Sequence, residues 1–334
     1  MSAALVVVSA ATGEAQIYES VGIRAQGMAG AFVAVADDAT ATWWNPAGLA
    51  SGALGNALIE YGESRQPRTA TDAGGVALPS WRSNTRGFAV AFPALGLSYY
   101  RLQVSQIEPL EPTGESGLSR QDQGRAPVRS TSFVLQQFGT TAGQSAGEHF
   151  VIATTVKLVR GSFASAAGVS ADASLDAASA LSADADTRVD LDVGVMARFG
   201  AVKVGVAAKN VRQPTFGSGD TLTLRRQVRG GLAVTSTQHG SVGPVTVAVD
   251  ADFSETPTAT GEARHLAAGG EAWLFGRSLG LRGGVSANTI GPAKSVLCGG
   301  VSLALRKGTY VDGQGTFGSD EERKGWGFAL RVTF

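Results

Sequence analysis

The chain has 334 residues, with 28 Lys and Arg balanced by 28 Asp and Glu, 45 glycines, three histidines and one cysteine. Zero net charge gives no electrostatic basis for binding nucleic acid; the single Cys298 excludes an internal disulfide or a cysteine-rich zinc site, and His149, His239 and His265 lack metal-ligand spacing. Low charge (17%) and glycine at roughly twice its usual share leave a glycine-rich, all-β chain as the expectation.

Residues 3–13 form an apolar stretch too short to span a bilayer as a helix. Gly13 and Ala15 stand like the −3 and −1 positions of a secretory cleavage site, but no basic residue precedes them. Residues 1–15 therefore read as a truncated signal peptide, with a buried first strand as the alternative. Every later apolar run is interrupted before it reaches the length of a membrane helix, so a membrane would be crossed by strands.

Small residues, including Gly22, Gly27 and Gly30, open the next segment and allow close backbone packing. An apolar run over 31–36, the acids Asp37 and Asp38, and a rigid Asn45-Pro46-Ala47-Gly48 turn follow. The two acids are adjacent and point apart on an extended chain, which argues against a catalytic pair.

Beyond residue 53, alternating stretches recur between Gly, Pro, Asn and Asp breaks. Over Arg188–Phe199, Val189, Leu191, Val193 and Val195 share one face, while Asp190, Asp192 and Gly194 share the other. The run 202–209 alternates in the same way after only Gly200 and Ala201, which predicts a hairpin with a two-residue turn. The pattern returns at Val245–Phe253, Leu279–Ala287 and Trp326–Phe334, with weaker strands near 56–63, 73–79, 85–93, 95–104, 130–139, 149–160, 222–235, 265–275, 295–305 and 308–317. Two long excursions, 105–129 and 161–187, interrupt the series, the second with a short helix expected at 173–183. Short turns alternating with longer loops suit a transmembrane antiparallel β-barrel of about 14 strands. A soluble sandwich alternates too, but hairpins continued over this length are better closed, since closure removes the exposed edges.

The charge-free faces would meet lipid. The opposite faces carry Asp190, Asp192, Lys203, Lys209, Asp250, Asp252, Arg282 and Arg331, which a wet lumen tolerates as ion pairs. Among the cations, Arg225, Arg226 and Arg229 are candidates for holding a ligand carboxylate. Trp43, Trp44, Trp81, Tyr99, Tyr100, Trp273 and Trp326 are candidates for interfacial girdles, with interior packing the better expectation for Trp43 and Trp44. Gly313–Gly318 matches G-x-G-x-x-G but is followed by a strand rather than a helix, so it reads as a glycine-rich strand or turn. No metal, cofactor or catalytic constellation emerges, and a non-enzymatic protein is the expectation.

The segment 20–50 resembles the N-terminal signature of FadL-type outer-membrane proteins, and more closely their PorV/PorQ-like branch. Gly22, Arg24, Ala25 and Gly27 carry this resemblance, with Asp37-Asp38-Ala39 and Trp44-Asn45-Pro46-Ala47-Gly48. The stretches 206–211 and 279–284 and the closing strand resemble the family as well. The resemblance implies a bacterial outer-membrane barrel (54–334) whose N-terminal segment (16–53) folds into the lumen as a hatch, with Asn45, Pro46 and Ala47 beside the route of hydrophobic substrates. The end of the chain, with Trp326, Phe328, Leu330, Val332 and Phe334 on one face, resembles the signal read by the barrel assembly machinery. The partners so implied are outer-membrane lipid and a small hydrophobic ligand. The alternative, a PorV-like accessory barrel binding secreted or surface proteins, rests on the closer resemblance to that branch and on the long loops 105–129 and 161–187, which could present a docking surface.

Overall fold

The structure, a computed structural model, describes residues 21–66, 80–109, 127–169, 173–217, 222–238, 240–258, 261–291, 293–319 and 323–334. The expected signal peptide 1–15, the expected strand 73–79 and His239 lie outside the described residues.

The strands are β1 (Asn56–Gln66), β2 (Ser80–Phe92), β3 (Leu95–Pro109), β4 (Pro127–Ala146), β5 (Phe150–Val169), β6 (Asp186–Phe199), β7 (Val202–Lys209), β8 (Thr215–Phe216), β9 (Leu222–Thr223), β10 (Gln227–Thr235), β11 (Val242–Asp252), β12 (Thr256–Thr258), β13 (Gly261–Ala263), β14 (His265–Leu274), β15 (Leu279–Asn288), β16 (Ser295–Arg306), β17 (Thr309–Gly318) and β18 (Gly325–Thr333). Fourteen of them close an antiparallel barrel in chain order, and β1 pairs with β18 to seal it. The pairs β8–β9 and β12–β13 are small separate hairpins in the longer loops. The connections 93–94, 147–149, 200–201, 236–241, 275–278 and 307–308 lie at one end, and the longest, such as 110–126, 170–185 and 210–226, lie at the other, as in transmembrane barrels.

Period-two alternation makes the wall two-sided. Val195, Val204, Val206, Leu232, Val247 and Val249 face outward and are exposed, whereas Asp190, Asp192, Lys209, Asp250, Arg282 and Arg331 face inward and are buried. Exposed aliphatic rows over an entire closed sheet would be unstable in water and suit hydrocarbon. The fold is a transmembrane β-barrel. No described helix is long and apolar enough to cross a membrane, which leaves strands unaffected.

The Gly200-Ala201 hairpin forms as expected, with Gly200 at φ 61° where a left-handed turn needs it. Other expectations shift. Strand β5 runs to Val169 and β4 begins at Pro127, so part of each expected excursion is a sheet extension beyond the usual membrane span. The expected strand 222–235 is split: Arg225 and Arg226 break the alternation, Leu222–Thr223 joins the small hairpin, and the barrel strand starts at Gln227. Trp81, Tyr100 and Trp273 are not girdle residues, because strand parity turns them inward, where they are buried. Gly313–Gly318 lies within β17. The short helix α3 (Leu175–Ala180) falls inside the expected span.

Residues 21–49 occupy the barrel interior, and the more exposed stretch 50–55 leads from it to β1. Two single-turn helices, α1 (Ile23–Gln26) and α2 (Ala41–Trp44), and a 3-10 helix (Pro46–Ser51) are joined by turns. Val21, Ala25, Phe32, Val33, Ala34 and Trp44 are almost wholly buried there.

Candidate functional site

The N-terminal motif first folds onto itself. Gly22 adopts φ 87°, and a Cβ there would lie 3.0 Å from the Trp44 indole nitrogen. That nitrogen instead donates to the Val21 carbonyl at 3.0 Å. Asp38 accepts from the Thr40 backbone N–H at 2.9 Å, which fixes the turn before α2. Asn45 is extended (φ −155°), and its Oδ1 accepts from the Ala47 N–H at 3.1 Å, capping the 3-10 helix that Pro46 begins. Its Nδ2 donates to Val33 O at 3.0 Å and to Val195 O of β6 at 3.3 Å. Gly48 lies directly on the Ala36 carbonyl, where no side chain fits. The Trp-Asn-Pro-Ala-Gly sequence therefore ties the end of the segment to its beginning and its middle.

Wall carboxylates then hold the segment's main chain. Glu60 of β1 accepts from Gly22 N at 2.9 Å and from Ile23 N at 3.3 Å. Asp250 of β11 accepts from Phe32 N at 2.8 Å and Val33 N at 2.7 Å through one oxygen. Arg24 makes the third anchor. Its Nε and Nη2 donate to both oxygens of Glu271 on β14 at 2.7 and 2.6 Å, and its Nη1 meets Asp37 and, at 3.3 Å, Asp38. Burial alone would lower the Arg24 pKa, but Asp37, Glu271 and Asp38 outweigh it and raise the value. From Glu271 the ion pairs continue through Arg282 (2.6 Å) to Asp312 (3.6 Å) and Arg331 (2.9 Å).

A second polar group lies on β5–β7, where Lys157 pairs with Asp192 at 2.7 Å and Asp190 at 3.1 Å and donates to Asn210 at 3.0 Å. Lys209 stands 3.1 Å from the centre of the Trp43 ring. Arg229 pairs with Asp252 at 2.5 Å beside the Trp44 ring. These charges are buried and mutually compensated, the condition under which a low-dielectric interior accepts them.

Toward the long-loop end the interior turns apolar. Leu102, Phe133, Leu135 and Val159 of β3–β5 join Phe216, Leu222 and Leu224 of the inward β8–β9 hairpin region, in one core with Trp43, Trp44 and Tyr100.

The structure brings Gly22, Arg24, Gly27, Asp37, Asp38, Trp44, Asn45, Pro46, Ala47 and Gly48 together in this segment. It separates the three candidate arginines: Arg229 is buried in the lumen, while Arg225 and Arg226 are exposed near the long loops, on Glu262 and the Val211 carbonyl. Trp326, Phe328, Leu330 and Phe334 face outward and are exposed, with Val332 on the same face. Sequence reasoning missed Glu60 and Glu271. Their one signal was that each is the single acid on its strand's inward face, among Asn56, Leu58, Gly62 and Ser64 in β1 and His265, Ala267, Gly269 and Trp273 in β14.

No curated protein matches this sequence. In structure the chain is similar to the CymD monoaromatic hydrocarbon channel (12% identity, TM-score 0.63, covering 94% of this chain and 98% of that one). It is also similar to the toluene transporter TbuX of Ralstonia pickettii (13%, TM-score 0.61, 95% and 99%), and to a FadL homologue of Pseudomonas aeruginosa (10%, TM-score 0.56, 96% and 99%). At these identities the likeness is one of fold: a 14-stranded barrel matched over almost the whole of each chain. In sequence, residues 56–252, more than half of the chain and the stretch from β1 through β11, match the family described as "F plasmid transfer operon, TraF, protein", and the chain belongs to that family.

Proposed function

We propose that this protein passes small hydrophobic compounds across the bacterial outer membrane, with residues 21–53 acting as a hatch. The observation that carries this reading is the apolar interior between the hatch and the long loops, bounded by Leu102, Phe133, Leu135, Val159, Phe216 and Leu222. A lumen serving ions or sugars would present polar groups along that stretch. This one presents hydrocarbon that an apolar solute can enter by displacing side chains. Two of its structural neighbours, a monoaromatic hydrocarbon channel and a toluene transporter, point the same way. Transport needs no bond chemistry. It needs the hatch anchors at Glu60, Asp250 and Glu271 to yield in part while the barrel stays closed. Asn45, Pro46 and Ala47 lie where the 3-10 helix meets β6, next to the moving part of such a hatch.

The outward row Trp326, Phe328, Leu330, Val332 and Phe334 is the expected recognition strand for the barrel assembly machinery. A PorV/PorQ-like role in holding secreted proteins would rest on the same N-terminal motif and on the loops. The apolar lumen favours passage of a small solute.

The test is uptake of a labelled monoaromatic compound by cells whose outer membrane carries the protein, compared with cells lacking it and with the Phe216→Asp variant. The expected result is uptake that depends on the barrel and is cut severalfold by the lumen charge. Equal uptake in all three would overturn the proposal.

A further inference from the structure

The outer wall breaks its own rule in one sector. On β2, β3 and β5 three arginines face outward in one cross-strand row. Arg86 is directly opposite Arg101, Arg101 opposite Gln136 of β4, and Gln136 opposite Arg160. Arg86 and Arg160 are exposed and Arg101 is half-exposed. Two residues toward the short turns, the same strands carry an unbroken apolar row: Ile59, Phe88, Tyr99, Phe138, Leu158 and Val189, each opposite the next. One row of the pleat thus separates hydrocarbon-facing side chains from guanidinium groups.

The position of that step is informative. An arginine on the lipid face costs several kcal/mol at the bilayer midplane and almost nothing at the interface. The arginine row therefore marks where this sector passes from hydrocarbon to the headgroup region on the long-loop side, running obliquely because barrel strands tilt. Aromatic residues beside it agree: Tyr61, opposite Arg86, lies 5.7 Å from Trp326 and 5.8 Å from Phe328, ring centre to ring centre, as a girdle residue should. Above the row the sheet extension leaves the membrane, and α3 lies against its outer face, with Gln103 donating to the Ser179 carbonyl and Arg82 paired with Asp176.

Like charges directly opposite on neighbouring strands repel and destabilise the sheet. Arg86 and Arg101 are such a pair, and among the described residues neither is within ion-pair distance of a carboxylate. Arg86 rests 5.5 Å from the Tyr61 ring and Arg101 donates to Gln103 at 3.1 Å. The nearby acids have other partners: Glu63 accepts from the Tyr61 hydroxyl and Asp176 pairs with Arg82. A phosphate between the guanidiniums would relieve the repulsion and accept paired N–H donors.

We infer that Arg86, Arg101 and Arg160 form a binding site for the phosphorylated headgroup of an outer-leaflet glycolipid, whose acyl chains lie on the Phe88–Tyr99–Phe138–Leu158 row. Three inter-strand steps separate Arg86 from Arg160, about 14 Å, a span that suits a headgroup bearing more than one phosphate. The apolar row directly beneath selects a lipid over a soluble phosphate. The site is outside the lumen and independent of what the lumen carries.

The experiment uses the full barrel in mild detergent micelles, titrated with diphosphorylated lipid A and with its dephosphorylated counterpart, binding being read by native mass spectrometry. The expected result is selective retention of the phosphorylated lipid. Its affinity should fall about fivefold in Arg101→Gln and roughly a hundredfold in the triple Arg86→Gln/Arg101→Gln/Arg160→Gln variant. Equal binding of the two lipids by the wild-type chain would overturn the proposal without recourse to any variant. So would a triple variant that binds as the wild type does, or displacement of the lipid by an equal concentration of inorganic phosphate, which would make this a free-anion site.

Discussion

Arg24 joins the N-terminal segment proposed as a hatch to the wall, and replacing it by methionine tests that attachment most directly. The substitution keeps an unbranched apolar stem and removes the guanidinium bound to Glu271, Asp37 and Asp38. Glu271 retains Arg282 at 2.6 Å and the Trp273 indole N–H at 2.9 Å, and Asp38 retains Thr40, but the buried acids lose their shared cation. Removing one partner of a buried ion pair costs about 3–5 kcal/mol. Because the barrel's strand ladders do not involve Arg24, that cost falls on docking of the N-terminal segment, a shift of roughly 10²–10³·⁵ in the docked-to-undocked ratio. Amide hydrogen exchange over residues 21–55, with heat-modifiable gel migration to report the barrel, separates the two. Exchange at the segment should rise by about two orders of magnitude or more while the barrel's migration is unchanged. Adding Asp37→Asn and Asp38→Asn to Arg24→Met should recover part of the protection, since it removes carboxylates left without their cation. Unchanged protection in Arg24→Met would refute the anchoring argument, and a lost barrel would refute the assignment of the cost to the hatch.

Asp250→Ala leaves the Phe32 and Val33 N–H groups without their acceptor, at about 1–3 kcal/mol each, and should loosen residues 30–36 in the same exchange experiment; Asp250→Asn, which keeps an acceptor oxygen, should lose less. Gly205→Val places a Cβ 2.7 Å from Val33 O and 2.9 Å from the Asn45 amide nitrogen, so the barrel should form with the hatch displaced, readable as higher single-channel conductance in a planar bilayer. Outside the membrane, the hydrogen bond and then the charge of Arg82 hold the Asp176 carboxyl below its ordinary value of 3.8. A lowered pKa contributes stability above the unfolded value and loses it as pH falls through the folded one. Exchange protection of α3 should therefore be flat from pH 8 to 5 and decline only below about pH 4, and protection lost near pH 6 would contradict the pairing.

The barrel was legible because its signal repeats. The alternation at Arg188–Phe199 and 202–209, with two residues between, allows one hairpin register, and the same pattern recurs around the wall. The closing strand was legible for the same reason. The strand extension 162–169 was not, since Ser-Phe-Ala-Ser-Ala-Ala-Gly-Val has no polar-apolar contrast to betray a sheet standing clear of the membrane. Grouping Arg225, Arg226 and Arg229 failed on position. Nearness in sequence placed them together, but the barrel strand begins only at Gln227, which leaves two on the outside and puts the third on an inward register with Asp252. Glu60 and Glu271 were invisible because an anchor to a distant segment has no periodicity, whether it binds main-chain N–H groups, as Glu60 does, or the Arg24 guanidinium, as Glu271 does. It depends on which group arrives opposite, and in this chain that group comes from far away in sequence.

The glycine content, which first argued for β structure, has a second use that bears on how the hatch would move. Inward glycines at 194, 205, 231, 269, 284, 300 and 327 lie where an added Cβ would strike the hatch or a side chain beside it. Met28 rests on Gly269 and Gly284, Gly27 on Gly300, and Val33 on Gly205. Along β6–β7 and β10–β18 the wall is thus shaped to receive main chain, and a hatch displaced on that side would leave backbone-width gaps with nothing to fill them. On β3–β5 Gly96 still receives Thr42 and Leu49 near the short turns, but toward the long loops the fit is of another kind. There the wall offers Tyr100, Leu102, Phe133, Leu135 and Val159, whose side chains can change rotamer without breaking a main-chain contact. In the proposed passage a small apolar solute therefore travels along β3–β5, past Trp43 and the Asn45–Gly48 turn, while the glycine-bedded half of the hatch stays seated. Enlarging a side chain on the two sectors should then have opposite consequences. Leu135→Trp should block uptake with the hatch still protected from exchange, whereas Gly284→Leu should unseat the hatch and raise uptake. Equal effects from the two would place the route elsewhere.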